Sequence, residues 1–254
     1  MGVAAGLGQA EETMTARALS ADTVLCILCR QPVPGRTKTR LIPALGATAA
    51  AQLSAVFLID LLGRCARELP ATFRILLCHD SPSPLDGETW FQALIREHAS
   101  SRSIALQAQA SGDLGARLAA VRASMDGPLI FIGSDAPDLP LAEMQHARAH
   151  ACAGRAYIVR AHDGGYALLA LPRQAGACVF DDIDWSTVHT GRQQIERIMA
   201  SGLETVDSAQ QWWDVDEPAD LAPLRERLEA QPQLAPLTLS FLRTLPLSGF
   251  GVPR

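Results

Sequence analysis

Short unbroken apolar runs alternate along this chain with longer stretches whose apolar positions return every three or four residues. The run Thr23 to Cys29 ends at a Pro/Gly turn and reads as a strand covered on both faces. Thr48 caps a predicted helix to about Leu69, with Leu53, Val56, Phe57, Ile59, Leu61 and Leu62 on its apolar face. The alternation continues through a strand at Phe73 to Cys78, a Pro-rich turn at Ser81 to Pro84, a helix at Glu88 to His98 and a strand at Ile104 to Gln107. Gly112-Asp113-Leu114-Gly115 opens a helix to about Met125, and Pro128 to Ile132 is the next buried strand. A helix at Leu141 to Ala151 precedes strands at Ala156 to Val159 and Tyr166 to Leu171, separated by the tight turn Asp163-Gly164-Gly165. Helices at Arg192 to Met199 and Pro218 to Leu228 complete the pattern. Alternation of this kind predicts an α/β fold with a doubly wound, mostly parallel central sheet.

Such a sheet binds ligands at the carboxyl ends of its strands, so the loop after Cys29 and Asp135, which follows the strand ending at Ile132, are expected to face one crevice. The organisation read from the pattern is a flexible extension over residues 1–21, one nucleotide-binding domain over 22–229, and a Pro/Leu-rich tail over 230–254. The tail shows no helical period and is expected to wrap the domain or support a homodimer. The leader carries Glu11 and Glu12 where a signal peptide would be apolar, and no apolar run approaches the roughly 20 residues that span a bilayer. A cytoplasmic protein without membrane contact is expected.

A formal net charge of -5 argues against a general nucleic-acid surface, so any polyanion site must be local. Six scattered cysteines fit reduced thiols, and Cys26 and Cys29 read as buried small hydrophobes rather than half of a zinc site. The cations are more telling: Lys and Arg total 22, and Lys38 is the single lysine. It lies in Pro34-Gly35-Arg36-Thr37-Lys38-Thr39-Arg40, a turn whose glycine, amides and compact point charge suit a phosphate. Asp135, Asp214 and Asp216 are candidate ligands for a hard divalent ion, Mg²⁺ or Mn²⁺, which oxygen donors favour. Each also reads as a turn or capping residue. Asp113 either orders a phosphate loop with Gly112 or caps a helix. Of the histidines, only His162, beside Asp163, is a candidate acid or base. Trp212 and Trp213 are expected to pack the last helix.

Pro32-Val33-Pro34-Gly35-Arg36-Thr37-Lys38-Thr39-Arg40-Leu41, Gly112-Asp113-Leu114-Gly115, Gly133-Ser134-Asp135-Ala136-Pro137, Asp163-Gly164-Gly165-Tyr166, Trp185-Ser186-Thr187 and Asp214-Val215-Asp216-Glu217-Pro218 follow one another in this order. In that order they resemble a bacterial family of glycosyltransferase-like proteins, labelled nucleotide-diphospho-sugar transferases or arsenosugar-biosynthesis-type glycosyltransferases. The family is related in fold to 2-phospholactate and molybdenum-cofactor guanylyltransferases. The resemblance covers about residues 23 to 222 and implies a glycosyltransferase-A-like three-layer sandwich. It also implies that Lys38 and Arg40 meet nucleotide phosphates with Pro34, Gly35, Arg36, Gly112, Asp113 and Ser134 around them. Asp135 and Asp216 would complete a metal site, with Asp214 beside them. His162, Asp163, Gly164, Gly165 and Tyr166 would line the acceptor side, with Lys38, Asp135 and Asp163 carrying the chemistry. The chain departs from the family at Arg30, where lysine is usual, at Ala116, where glutamate is frequent, and at Arg160-Ala161 in place of Gly-Pro.

Three functions follow. One is metal-dependent glycosyl transfer from a nucleotide sugar to a small acceptor. A second is nucleotidyl transfer, in which a phosphorylated small molecule attacks a nucleoside triphosphate and pyrophosphate leaves. A third is a degenerate nucleotide-binding protein without turnover.

Overall fold

The computed structural model describes residues 22–245. The predicted leader therefore lies outside the described residues. Seven strands form one sheet in the order β3-β2-β1-β4-β6-β5-β7. They are β1 (Thr23–Arg30), β2 (Phe73–Asp80), β3 (Ile104–Ala108), β4 (Leu129–Gly133), β5 (Ala156–Arg160), β6 (Tyr166–Leu171) and β7 (Thr205–Asp207). All run parallel except β6, which is antiparallel to both β4 and β5. The Asp163-Gly164-Gly165 turn causes this reversal, and it brings the start of β6 to the end of the sheet where the other strands finish.

The two-faced strands read from the sequence are two-faced in the structure. Along β1, Leu25, Ile27 and Cys29 enter one apolar core while Cys26 enters the other, as a period of two requires. Cys26 and Cys29 are both buried free thiols. Among the described residues, eight helices surround the sheet: α1 (Ile42–Leu45), α2 (Ala47–Glu68), α3 (Pro84–His98), α4 (Leu114–Ala123), α5 (Leu141–Cys152), α6 (Thr190–Ala200), α7 (Leu221–Ala230) and α8 (Pro236–Arg243). This is the α/β three-layer architecture expected. α2 is long and apolar enough to cross a bilayer by length and composition, but 72% of its most apolar stretch is buried within the fold.

Two local expectations are corrected, and one short strand is unforeseen. Thr48 does not cap α2, which starts one residue earlier behind Gly46 in a backbone conformation with φ 81°. The short strand β7 has too few residues to show a period. The tail is helical where no helix was predicted: α8 spans eight residues, too few to repeat its buried positions Thr238, Leu239 and Leu242. Its first turn is tied down by Asp60 of α2, which accepts from the backbone N–H groups of Leu237 and Thr238. α8 and α7 join α2 in a third apolar cluster containing Leu41, Leu53, Phe57, Val215 and Leu239. That cluster lies beneath the loop carrying Lys38 and beneath Asp214-Val215-Asp216, and it fixes both.

Candidate active site

A cleft of about 450 Å³ opens at the carboxyl ends of the central strands, within the size range of small-ligand sites. Arg30 comes from the end of β1, Asp80 from β2, Gln109 from just beyond β3 and Gly133, Ser134 and Asp135 from β4; Lys38, Arg40, Tyr166, Asp214 and Asp216 also line it.

Lys38 is brought in by its own backbone. The loop is stitched by Thr37, whose hydroxyl accepts from the Val33 N–H and donates to the Gln31 carbonyl. Lys38 then adopts a left-handed conformation, φ 50° and ψ 47°, which few non-glycine residues take up. Its ammonium ends 2.6 Å from Asp135 Oδ1, 2.9 Å from Asp216 Oδ1 and 2.6 Å from the Val215 carbonyl. Only 4% of the side chain is exposed. Burial alone would push this ammonium toward neutrality, but the Asp135 and Asp216 carboxylates outweigh it and hold its pKa above the usual lysine range.

The two halves of the acid cluster reach the cleft by different routes. Asp135 follows β4, and its carbonyl accepts from the Val215 N–H at 3.0 Å. Asp214 and Asp216 arrive on the chain beyond β7, which runs along β5: the Trp212 N–H donates to the Arg160 carbonyl and the His162 N–H to the Trp212 carbonyl. Val215 is fully buried, so extended backbone turns Asp214 and Asp216 to the opposite side, toward the cleft. Burial, then the negative charges of Asp135, Asp163 and Asp216, push the Asp214 carboxyl up to about 8. Burial would also raise Asp216, but Lys38 beside it holds it below the usual carboxylate range.

Other predicted site residues divide. Ser134 is buried at the cleft, its N–H on the Leu28 carbonyl. Arg40 lines the cleft but is 68% exposed, opposite Glu217 at 3.8 Å. Pro34, Gly35 and Arg36 lie on the exposed crest of the loop, and the Arg36 carbonyl accepts from Arg30. Asp113 caps α4 by accepting from the Ala116 N–H, so of its two readings the structure shows the cap. Gly112 beside it has φ 111°.

Of the residues expected to line an acceptor side, His162, Asp163, Gly164 and Gly165 are not among those lining the cleft; Asp163 Oδ1 accepts from the Gly165 N–H at 2.9 Å, and the Gly164 carbonyl accepts from the Gly191 N–H at 2.8 Å. Gly164 has φ 94°, and a Cβ there would strike the Val188 backbone. Tyr166 lines the cleft and donates to Gln194. His162 stacks on Trp213 at 4.2 Å, and the Arg227 guanidinium lies over the same indole at 4.9 Å. Trp212 donates to the buried Asp138. Trp213 thus packs on α7 as expected, whereas Trp212 packs against the apolar core that holds Leu25 and Ile27.

Sequence reasoning missed one part of the cleft. Asp80 Oδ2 lies between Arg30 at 3.3 Å and Arg117 at 3.5 Å. Gln109 accepts from Arg117 at 2.8 Å while donating to the carbonyls of Cys29 and Cys78. The strand-end rule that singled out Asp135 applies equally to Asp80.

The donor chemistry fits a hard divalent cation: hard carboxylate oxygens converge, and a cation, the ammonium itself, already stands between two of them. Among the described residues, no three acidic, histidine or cysteine side chains form a metal-holding group.

Residues 71–187 match a family described as "Uncharacterized protein conserved in bacteria (DUF2064)". This stretch contains Asp80, Asp135, Asp163 and Trp185, whereas Lys38, Asp214 and Asp216 lie outside it. The whole chain is similar to a solved "putative nucleotide-diphospho-sugar transferase" from Desulfovibrio desulfuricans G20, with 28% identity and a TM-score of 0.78, over 88% of this chain and 95% of that one. A 4-diphosphocytidyl-2C-methyl-D-erythritolsynthase from Anaerococcus prevotii DSM 20548 shares the fold, with 10% identity and a TM-score of 0.50, over 91% of this chain and 99% of that one. No curated protein matches the chain. The resemblance carried by the motifs is borne out by the likeness to the solved Desulfovibrio protein, and the α/β fold is the one expected.

Proposed function

We propose that this protein is a nucleotide-dependent transferase that moves a glycosyl group from a nucleotide sugar to a small acceptor. The observation carrying this reading is one cleft lined by Arg30, Arg40 and Arg117 together with Asp135, Asp214 and Asp216. The likeness to the Desulfovibrio protein over nearly its full length supports the donor class. Arginine forks bind the phosphates of the donor. Asp135, Asp214 and Asp216 hold Mg²⁺ or Mn²⁺, which when bound offsets charge developing on the departing diphosphate. Asp163, fixed by the Gly165 N–H, takes the acceptor proton on the side built by Gly164, Gly165 and Tyr166.

Three guanidinium groups around one cleft also favour a triphosphate, which supports nucleotidyl transfer as a second reading. Incubation with nucleotide sugars and nucleoside triphosphates, each with Mg²⁺ or Mn²⁺ and a panel of acceptors, separates them. Release of nucleoside diphosphate is the expected result. Pyrophosphate establishes the second reading, and no turnover with any donor overturns both.

A further inference from the structure

Resting on that reading, we propose that the Lys38 ammonium and a divalent cation are alternative occupants of the Asp135 and Asp216 carboxylate pair, so that loading the ion releases Lys38 toward the phosphates of the nucleotide. A lysine ammonium has three N–H donors and no acceptor. Here Asp135, Asp216 and the Val215 carbonyl take one each. With three partners in place and 4% of the side chain exposed, no donor remains for a phosphate. The direct phosphate contact expected from the sequence therefore requires the ammonium to leave at least one carboxylate.

The ion needs those same oxygens. Two cationic centres cannot share a gap bounded by oxygens within 2.9 Å of the present one without strong repulsion. Lys38 lines the cleft together with Thr37, Thr39 and Arg40. Once displaced, its ammonium would be a buried unpaired charge, which is costly until an anion meets it. A diphosphate arriving in the cleft supplies that anion. Ion and nucleotide are then coupled through one side chain, which is a positioning residue without ligand and a phosphate contact with it.

The single lysine makes this directly observable, because lysine labelled with ¹⁵N at Nζ gives one side-chain signal from the folded protein. Mg²⁺ is added without nucleotide, and Mn²⁺ affinity is measured by electron paramagnetic resonance for the wild type, Lys38→Met and Arg40→Met. The ammonium signal is expected to move and to saturate with ion binding. Lys38→Met is expected to bind Mn²⁺ about ten-fold or more tighter than wild type, and Arg40→Met, which removes an exposed charge, by less than about three-fold. An unmoved signal while the ion binds overturns the proposal. So does equal Mn²⁺ affinity in wild type and Lys38→Met, or Mn²⁺ binding by neither. Because no nucleotide is present, such failures leave the transferase reading to its product assay, and a silent product assay leaves the ion exchange standing.

Discussion

The Trp185 indole lies across Gly115, with Nε1 2.5 Å from the point a Cβ on that glycine would occupy. This contact joins two motifs that sequence spacing leaves 70 residues apart. Gly115 is the second residue of α4, where alanine would ordinarily help by about 1 kcal/mol. Overpacking against the ring costs more, so Gly115→Ala is expected to lower stability by about 1–3 kcal/mol in urea unfolding. Trp185→Phe in the same chain should restore part of that loss. A stable Gly115→Ala single variant would mean the ring moves freely and does not position α4.

Lys38→Arg keeps the charge and changes its shape. A planar fork cannot direct three donors to Val215, Asp135 and Asp216 in a space built for an ammonium. Both carboxylates are nearly half exposed, 44% and 47%, which softens the penalty for mispairing them. The expected loss is about 1–3 kcal/mol in metal-free, nucleotide-free buffer, with weaker nucleotide binding. Denaturation midpoints equal to those of the wild type would show that the site tolerates a fork.

Asp214 is expected to contribute a component of metal-free stability that falls with rising pH. Its folded pKa of about 8 stands above its ordinary 3.8, so the folded state holds a proton that the unfolded chain gives up first. This one component of stability is fully present below about 4 and declines through neutral pH until about 8, where the folded carboxyl also ionises. Asp214→Asn, neutral at every pH, should lack this component. Urea midpoints of variant and wild type, compared at pH 5 and pH 8.5, should shift in the variant's favour at the higher pH. A constant difference would dispose of the raised carboxyl.

Much of this cleft was legible because it obeys local rules. β4 is a wholly apolar run, and such a strand must aim the next polar residue, Ser134 or Asp135, at the sheet's carboxyl end. Asp214 and Asp216 flank one buried valine, so their shared direction follows from a period of two. Lys38 stood out by rarity, but its partners did not: the Val215 carbonyl lies 177 positions away, and no local pattern encodes that pairing. Asp80 and Gln109 escaped notice for a different reason. Their roles depend on Arg117, which looks like an ordinary helix-surface cation until the fold brings α4 over β2. The six strands of four or more residues were all visible, whereas β7 and α8 were too short to carry a period.

Asp135→Asn separates the acid's chemistry from its place in the turn. The Asp135 carbonyl that accepts from Val215 is unaffected by the substitution, and an amide oxygen can still accept from Lys38. The fold is therefore expected to survive with a circular dichroism spectrum like that of the wild type. What the amide lacks is negative charge, for Lys38 and for a divalent ion alike. Turnover with a nucleotide sugar and Mn²⁺ should fall about 100-fold or more, mostly in kcat, because the lost charge acts where the leaving diphosphate develops its own. In metal-free buffer, where no ion draws on Asp135, nucleotide affinity should change by less than about three-fold, because Arg30, Arg40 and Arg117 keep their charges. Full turnover in a folded Asp135→Asn variant would reduce this residue to a turn former and move the reaction's anionic centre to Asp214 and Asp216.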